Sequence, residues 1–250
     1  MLFHEFGPIH APTVLLMHGM LQDWHSEYEM LRPLENHFRL ILPAMDGMYP
    51  GSPDFTSFAD QSRQIEEYIS LHHNGRICGA YGASQGGLLL VELLTRNQIG
   101  IDTAVMDGVY VAHQGKAAAW GTFQMMNHRR KTGRFPGVIA VMMKLMGLGQ
   151  EDMKMFDAMY WDVSEESMRR NLYENYTYHT DPAIRNTKTK IHFWCGSREP
   201  YALKSHKILK KYITPCEEII FPDMGHGQML LYHRREICDR LCSVFSGEKT

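Results

Sequence analysis

The chain has 250 residues, enough for one large domain with a buried core, and its 44% apolar and 22% charged content is that of a folded globular protein rather than a disordered one. A formal net charge of -2 gives no overall attraction for nucleic acid or an anionic membrane, and the densest basic cluster, His128-Arg129-Arg130-Lys131, is short enough to be the solvated end of a helix. The first residues have neither a basic stretch nor a sustained apolar run, so no cleavable signal is expected, and no segment approaches the ~18 apolar residues of a membrane span. The five cysteines lack metal-type spacing; only Cys238 and Cys242 lie close, on one face of an expected helix. Core thiols and a reducing cytoplasm follow as the expectation.

Short β-rich runs alternate with longer amphipathic stretches, the pattern of a mostly parallel sheet covered by helices. Strands are expected over residues 13–17, 39–42, 76–81, 103–106, 191–195 and 218–221. Helices are expected over 58–71, with Ser57 as N-cap, and over 88–96, 202–212 and 229–245. Residues 112–185 break the alternation and read as an inserted helical cap, leaving 1–111 and 186–250 as the core. Within the insertion, Pro136-Gly137 opens a helix that closes near Gly147 to Gly149, and Ser164-Glu165-Glu166 starts another. Nine of the eighteen methionines fall there: Met125, Met126, Met142, Met143, Met146, Met153, Met155, Met159 and Met168. Flexible thioethers suit both an irregular helical core and an adaptable apolar binding surface.

The run Gly82-Ala83-Ser84-Gln85-Gly86 follows an expected strand and precedes the apolar helix beginning Leu88-Leu89-Leu90-Val91. Glycines flanking a serine by two residues permit a strained strand-to-helix turn that presents the hydroxyl at the carboxyl end of the sheet. Such a hydroxyl needs a base, and the base an orienting carboxylate. Of fourteen histidines, His226 stands out, between Gly225 and Gly227, after the last expected strand and before the C-terminal helix. Glu199, in the turn Gly196-Ser197-Arg198-Glu199-Pro200, lies between serine and histidine in chain order and is the favoured acid; Asp107, after the strand at 103–106, is its rival. The turn His18-Gly19-Met20 can aim the Met20 amide beside that of Gln85 to hold an oxyanion, with His18 supporting the loop.

In order and spacing, His18-Gly19-Met20, Asp46-Gly47 with Gly51-Ser52, the Ser84 elbow, Gly196-Ser197-Arg198-Glu199 and Gly225-His226-Gly227 resemble the α/β-hydrolase superfamily, in its capped, esterase- or lipase-like, serine-nucleophile branch. The resemblance covers nearly the whole chain. It implies an α/β fold with a mostly parallel sheet of seven or eight strands, a helical lid after the sixth, and a triad carried onto Ser84, His226 and Glu199. The chain departs from the usual pattern in having glutamate rather than aspartate as acid, and in an N-terminal hairpin shortened to about residues 2–6. Serine at the elbow argues against the dehalogenase and epoxide-hydrolase branches. The activity so implied is cleavage of a small-molecule ester or thioester with an apolar group, through an acyl-enzyme on Ser84, without metal or organic cofactor. Carbon–carbon bond hydrolysis on the same triad, and a non-catalytic small-molecule receptor, are the alternatives.

Overall fold

The computed structural model describes residues 1–137 and 159–247. The sheet has seven strands: β1 (Leu2–Phe6), β2 (Thr13–Met17), β3 (Arg39–Ala44), β4 (Arg76–Ala83), β5 (Gly100–Asp107), β6 (Lys190–Gly196) and β7 (Cys216–Phe221). Their order is β1-β3-β2-β4-β5-β6-β7, with β1 antiparallel to β3 and every other pair parallel. The abbreviated N-terminal hairpin is therefore one edge strand, and the sheet counts seven strands among the described residues.

Helices cover both faces of the sheet, which is why the central strands are apolar almost without interruption. Leu15, Met17, Ala80, Ala104, Met106, Ile191 and Phe193 point to one side, against α2 (Phe58–His72) and α3 (Gln85–Arg96). Val14, Leu16, Tyr81, Val105 and Trp194 point to the other, against α1 (Trp24–Leu31) and the C-terminal helix. Neighbours alternate between the two sets, as the two-residue period of a strand requires.

Ser57 caps α2 as expected, its hydroxyl accepting the Asp60 amide at 3.0 Å. Ser57→Ala should lower stability by about 1 kcal/mol without touching the sheet, which denaturant melting would measure. Helix α1 is absent from the sequence reading. It starts at a capping box in which Asp23 and Ser26 exchange hydrogen bonds.

The helix expected over 229–245 is two helices, α7 (Gln228–Tyr232) and α8 (Arg234–Ser246). His233, at φ -124° and ψ 35°, leaves the helical region; its amide closes the first helix on Met229 O and its carbonyl opens the second by accepting from Ile237 N. Helix α6 runs over Pro200–Leu209, starting earlier than expected because Pro200 fits the first turn, where no amide donor is needed.

Between β5 and β6 lie α4 (Lys116–Thr132) and α5 (Glu165–Thr177), packed on each other, and a 3-10 turn at Pro182–Asn186. Ser164 caps α5 by accepting the Ser167 amide. Arg130 and Lys131 end α4, where cations suit the helix dipole, and both pair with Glu165. The basic cluster is thus engaged at a helix junction. Of the methionines singled out in this segment, Met126 and Met168 are buried and Met125 and Met159 pack against the core. Met142, Met143, Met146, Met153 and Met155 lie outside the described residues, as do the helix end near Gly147 to Gly149 and most of the helix expected after Pro136-Gly137. Among the described residues, which include all five cysteines, there is no disulfide. Among the described residues no helix is long and apolar enough to cross a membrane.

Candidate active site

The chain adds β3 on one side of β2 and then crosses to lay β4 on the other, so the strand order reverses between β2 and β4. Open parallel sheets form their ligand crevices at the carboxyl ends of strands at such a reversal. There β2 ends in His18-Gly19-Met20 and β4 ends in Ser84.

Ser84 has φ 53° and ψ -111°, strained for a residue with a Cβ. The turn is held from three sides. A Cβ on Gly82 would lie 2.4 Å from Gly86 O, and one on Gly86 would lie 2.0 Å from Met17 O, so both positions must be bare. The Ser84 amide donates to Asp107 O at 2.7 Å, tying the elbow to the end of β5.

His226 stands in the loop after β7, with its side chain 31% exposed. Its Nε2 is 2.9 Å from Ser84 Oγ and its Nδ1 is 2.5 Å from Glu199 Oε2. Because Glu199 can only accept when ionised, Nδ1 carries the proton, and Nε2 is left free to accept from the serine hydroxyl. Glu199 is 3% exposed, and its other oxygen accepts the Gly196 amide at 2.7 Å. Burial alone would raise the Glu199 pKa, but the bonds from His226, the Gly196 amide and Tyr110 outweigh it and hold the carboxyl below its ordinary range. For His226, burial pulls the pKa down, and the Glu199 hydrogen bond and charge, with the charge of Asp107, more than reverse this. A hydroxyl, imidazole and carboxylate so connected can pass a proton from oxygen to ring while the carboxylate stabilises the resulting charge.

Asp107 takes a different position. Its Oδ2 accepts from the Tyr81 hydroxyl at 2.8 Å, and its hydrogen bond is to that phenol rather than to His226. Burial pushes its pKa up to about 7 and that of neighbouring Glu27 up to about 8, so charge behind the elbow is costly: Glu27 favours its neutral form, and Asp107 ionises only as the pH rises through about 7.

The Gln85 amide is the first of α3, where a helix has no carbonyl of its own to offer. Beside it, Gly19 lies against the serine: a Cβ there would be 3.6 Å from Ser84 Cβ. His18 Nδ1 donates to Gly19 O at 2.9 Å, and Gln22 Oε1 accepts the Gly19 amide at 2.9 Å, fixing the turn that carries Met20. The chain between β5 and β6 reaches both this turn and the start of α3, through Tyr160 N donating to Leu21 O and Asn175 Nδ2 facing Gln85 Oε1 at 3.4 Å.

Two residues at the site escaped the sequence reading. Gly108, at φ +60°, offers a position whose Cβ would sit 3.1 Å from both Glu199 Oε2 and His226 Nδ1. Gly108→Ala should therefore lower kcat by about 10- to 100-fold through displacement of the imidazole, with steady-state kinetics as the measurement. Nothing adjacent in sequence tells what the missing side chain at Gly108 makes room for. The other is Tyr110, whose hydroxyl lies 3.1 Å from His226 Nδ1 and 3.3 Å from Glu199 Oε2. It belongs to no motif.

Among the described residues no group of three or more His, Cys, Asp or Glu side chains is arranged to hold a metal ion. Comparison with known proteins places these observations in a family. No curated protein matches the sequence significantly. Solved structures of the same fold include an alpha/beta hydrolase family protein from Desulfitobacterium hafniense, at 20% identity and TM-score 0.82 over 97% of this chain and 99% of that one. A thermophilic esterase from Thermogutta terrifontis is similar at 17% identity and TM-score 0.73 over 98% of this chain and 93% of that one. MenH from S. aureus is similar at 14% identity and TM-score 0.76 over 99% of both. The model of the Alpha/beta hydrolase family matches residues 14–240, and the chain belongs to that family of hydrolases.

Proposed function

We propose that the protein is a serine hydrolase that cleaves a carboxylic ester or thioester carrying an apolar group. The reading rests on one observation above others: the unbroken hydrogen-bonded chain from Ser84 through His226 to Glu199, with the serine in a strained turn at the sheet's reversal point. In this reading Ser84 Oγ attacks the carbonyl carbon and His226 Nε2 takes its proton. The amides of Met20 and Gln85 hold the oxyanion, and the imidazolium returns the proton to the departing alcohol or thiol. Water, deprotonated by His226 in turn, then bonds to the acyl carbon, and the imidazolium returns that proton to Ser84 Oγ as its bond to the acyl group breaks and the acid leaves.

The segment 112–185 acts as a cap on the core formed by 1–111 and 186–250. Its support is that Tyr160 and Asn175 both touch residues flanking the oxyanion site. Methionine-rich packing favours an apolar acyl or alcohol group. Cys78, Cys195, Cys216 and Cys238, present as thiols, agree with a reducing cytoplasm.

A fluorophosphonate probe should label the native enzyme on Ser84, located by peptide mass; a folded, intact protein that never labels would overturn the assignment. The pH dependence has a defined sign. Only neutral His226 can accept the serine proton, and its pKa lies above the ordinary 6.5, so kcat/KM should fall on the acid side with a midpoint above 6.5. An acid limb centred well below that value would show that Glu199 and Asp107 do not outweigh burial at the imidazole.

A further inference from the structure

Tyr110 stands three residues beyond the end of β5, where the chain leaves the sheet for the inserted segment. Its ring lies tilted over His226, with centroids 4.9 Å apart, and the Tyr201 ring lies beyond it at 6.1 Å. Its hydroxyl, near both Glu199 Oε2 and His226 Nδ1, closes a triangle of polar atoms with their 2.5 Å contact. Only one assignment of protons satisfies all three. The Nδ1 proton is committed to Glu199, so the phenol O–H donates to Glu199 Oε2, and the phenol oxygen takes a lesser share of the Nδ1 proton.

The position is fixed from outside the triangle as well. The amides of Val111 and Ala112 both donate to Ser205 Oγ, at 2.9 and 3.2 Å, and that hydroxyl donates to Tyr201 O at 2.8 Å. Ser205 and Tyr201 lie on α6, the helix that Glu199 precedes. On the far side, the Gln114 and Gly115 amides donate to Tyr176 O at the end of α5. Tyr110 is thus held by the same helix that follows the acid, and a bulky side chain there is packed rather than loose.

We infer that Tyr110 is a positioning residue for the hydrolytic reaction, orienting the Glu199 carboxylate and the His226 ring and drawing part of the carboxylate's charge away from the imidazolium. The inference rests on the Ser84, His226 and Glu199 reading above. Burial and the charge of Glu199 both disfavour the phenolate, so the hydroxyl stays a donor through the working pH range. The charged or titratable groups facing His226 are Glu199 ahead of α6 and Asp107 at the end of β5, with Tyr110 from the insertion's root. Removing the phenol's donation leaves more of the Glu199 charge to the imidazolium, which raises the pH at which His226 gives up its proton.

Tyr110→Phe keeps the ring and deletes the hydroxyl. Measured with p-nitrophenyl esters, it should lower kcat by about tenfold, the effect of one lost hydrogen bond to a charged group, with KM changed less than about twofold. The acid limb of kcat/KM should move to higher pH. Labelling by fluorophosphonate should persist at a reduced rate. Native kcat with an unmoved acid limb would overturn the inference, as would a loss carried by KM alone, which marks mere packing. A native enzyme that neither labels nor hydrolyses esters would remove the hydrolase reading and this inference together. A native enzyme that labels, beside an unaltered Tyr110→Phe, would remove the inference alone.

Discussion

Ser84→Ala is expected to lower kcat by about 10⁵- to 10⁶-fold, the largest single loss any substitution in this chain should produce. In the proposed reaction the hydroxyl oxygen forms the acyl bond, and nothing within the elbow can replace it: the flanking residues are alanine and glutamine, then glycines at 82 and 86. What survives should be the modest acceleration supplied by substrate binding and the Met20 and Gln85 amides. The fold should survive too. The side chain's hydrogen bond is to His226, while the backbone bond from the Ser84 amide to Asp107 O does not depend on the side chain. Alanine and serine bear the φ of 53° at similar cost, so stability should shift by less than about 1 kcal/mol. Ser84→Gly separates the two effects: without a Cβ the left-handed turn is relaxed, so the variant should be inactive yet about 1 kcal/mol more stable than Ser84→Ala. Pre-steady-state kinetics and thermal melting of the three proteins measure this. A Ser84→Ala rate within a hundredfold of native would take the nucleophile's role away from this residue.

Why some of the site was readable and some was not follows from how each residue is specified. The elbow is local: strand, glycine, serine, glycine and helix are adjacent, and each has a steric reason visible in sequence. The expected strands all appear, generally extended by one to three residues, because boundaries depend on neighbours in the sheet rather than on composition. Asp107 pairs in register with Trp194, for example, so β5 continues one residue past its apolar run. His226 and Glu199 were legible through their place after late strands, since topology brings those loops to the same sheet edge as β4. Tyr110 and Gly108 were not. Their partners are Glu199 and His226, some 90 to 120 positions away, and no short-range pattern encodes a contact at that separation. Helix α1 and the break at His233 were missed for a simpler reason: capping and helix interruption depend on side-chain and backbone geometry that apolar periodicity does not report.

The choice between two carboxyls gives the second large effect. Glu199→Gln should reduce kcat by about 10³- to 10⁴-fold, although the side chain is nearly unchanged in size. The Glu199 turn presents one oxygen to the Gly196 amide, so a glutamine there keeps its carbonyl on that donor and turns its NH₂ toward His226 Nδ1. An NH₂ facing Nδ1 selects the tautomer with the proton on Nε2, and that nitrogen then cannot accept from Ser84. Asp107→Asn leaves this arrangement alone. Tyr81 can still donate to the asparagine oxygen, so kcat should fall by less than about tenfold. Asp107 carries its charge only as the pH rises through about 7, but where it is ionised it is one of the groups that raise the His226 pKa, so in Asp107→Asn the acid limb should move to lower pH, opposite in sign to the shift expected for Tyr110→Phe. Kinetics of the two variants across pH therefore discriminate by magnitude and by direction. A thousandfold loss confined to Asp107→Asn would transfer the acid's role from the loop after β6 to the end of β5, and would require the imidazole to rotate away from its 2.5 Å contact with Glu199.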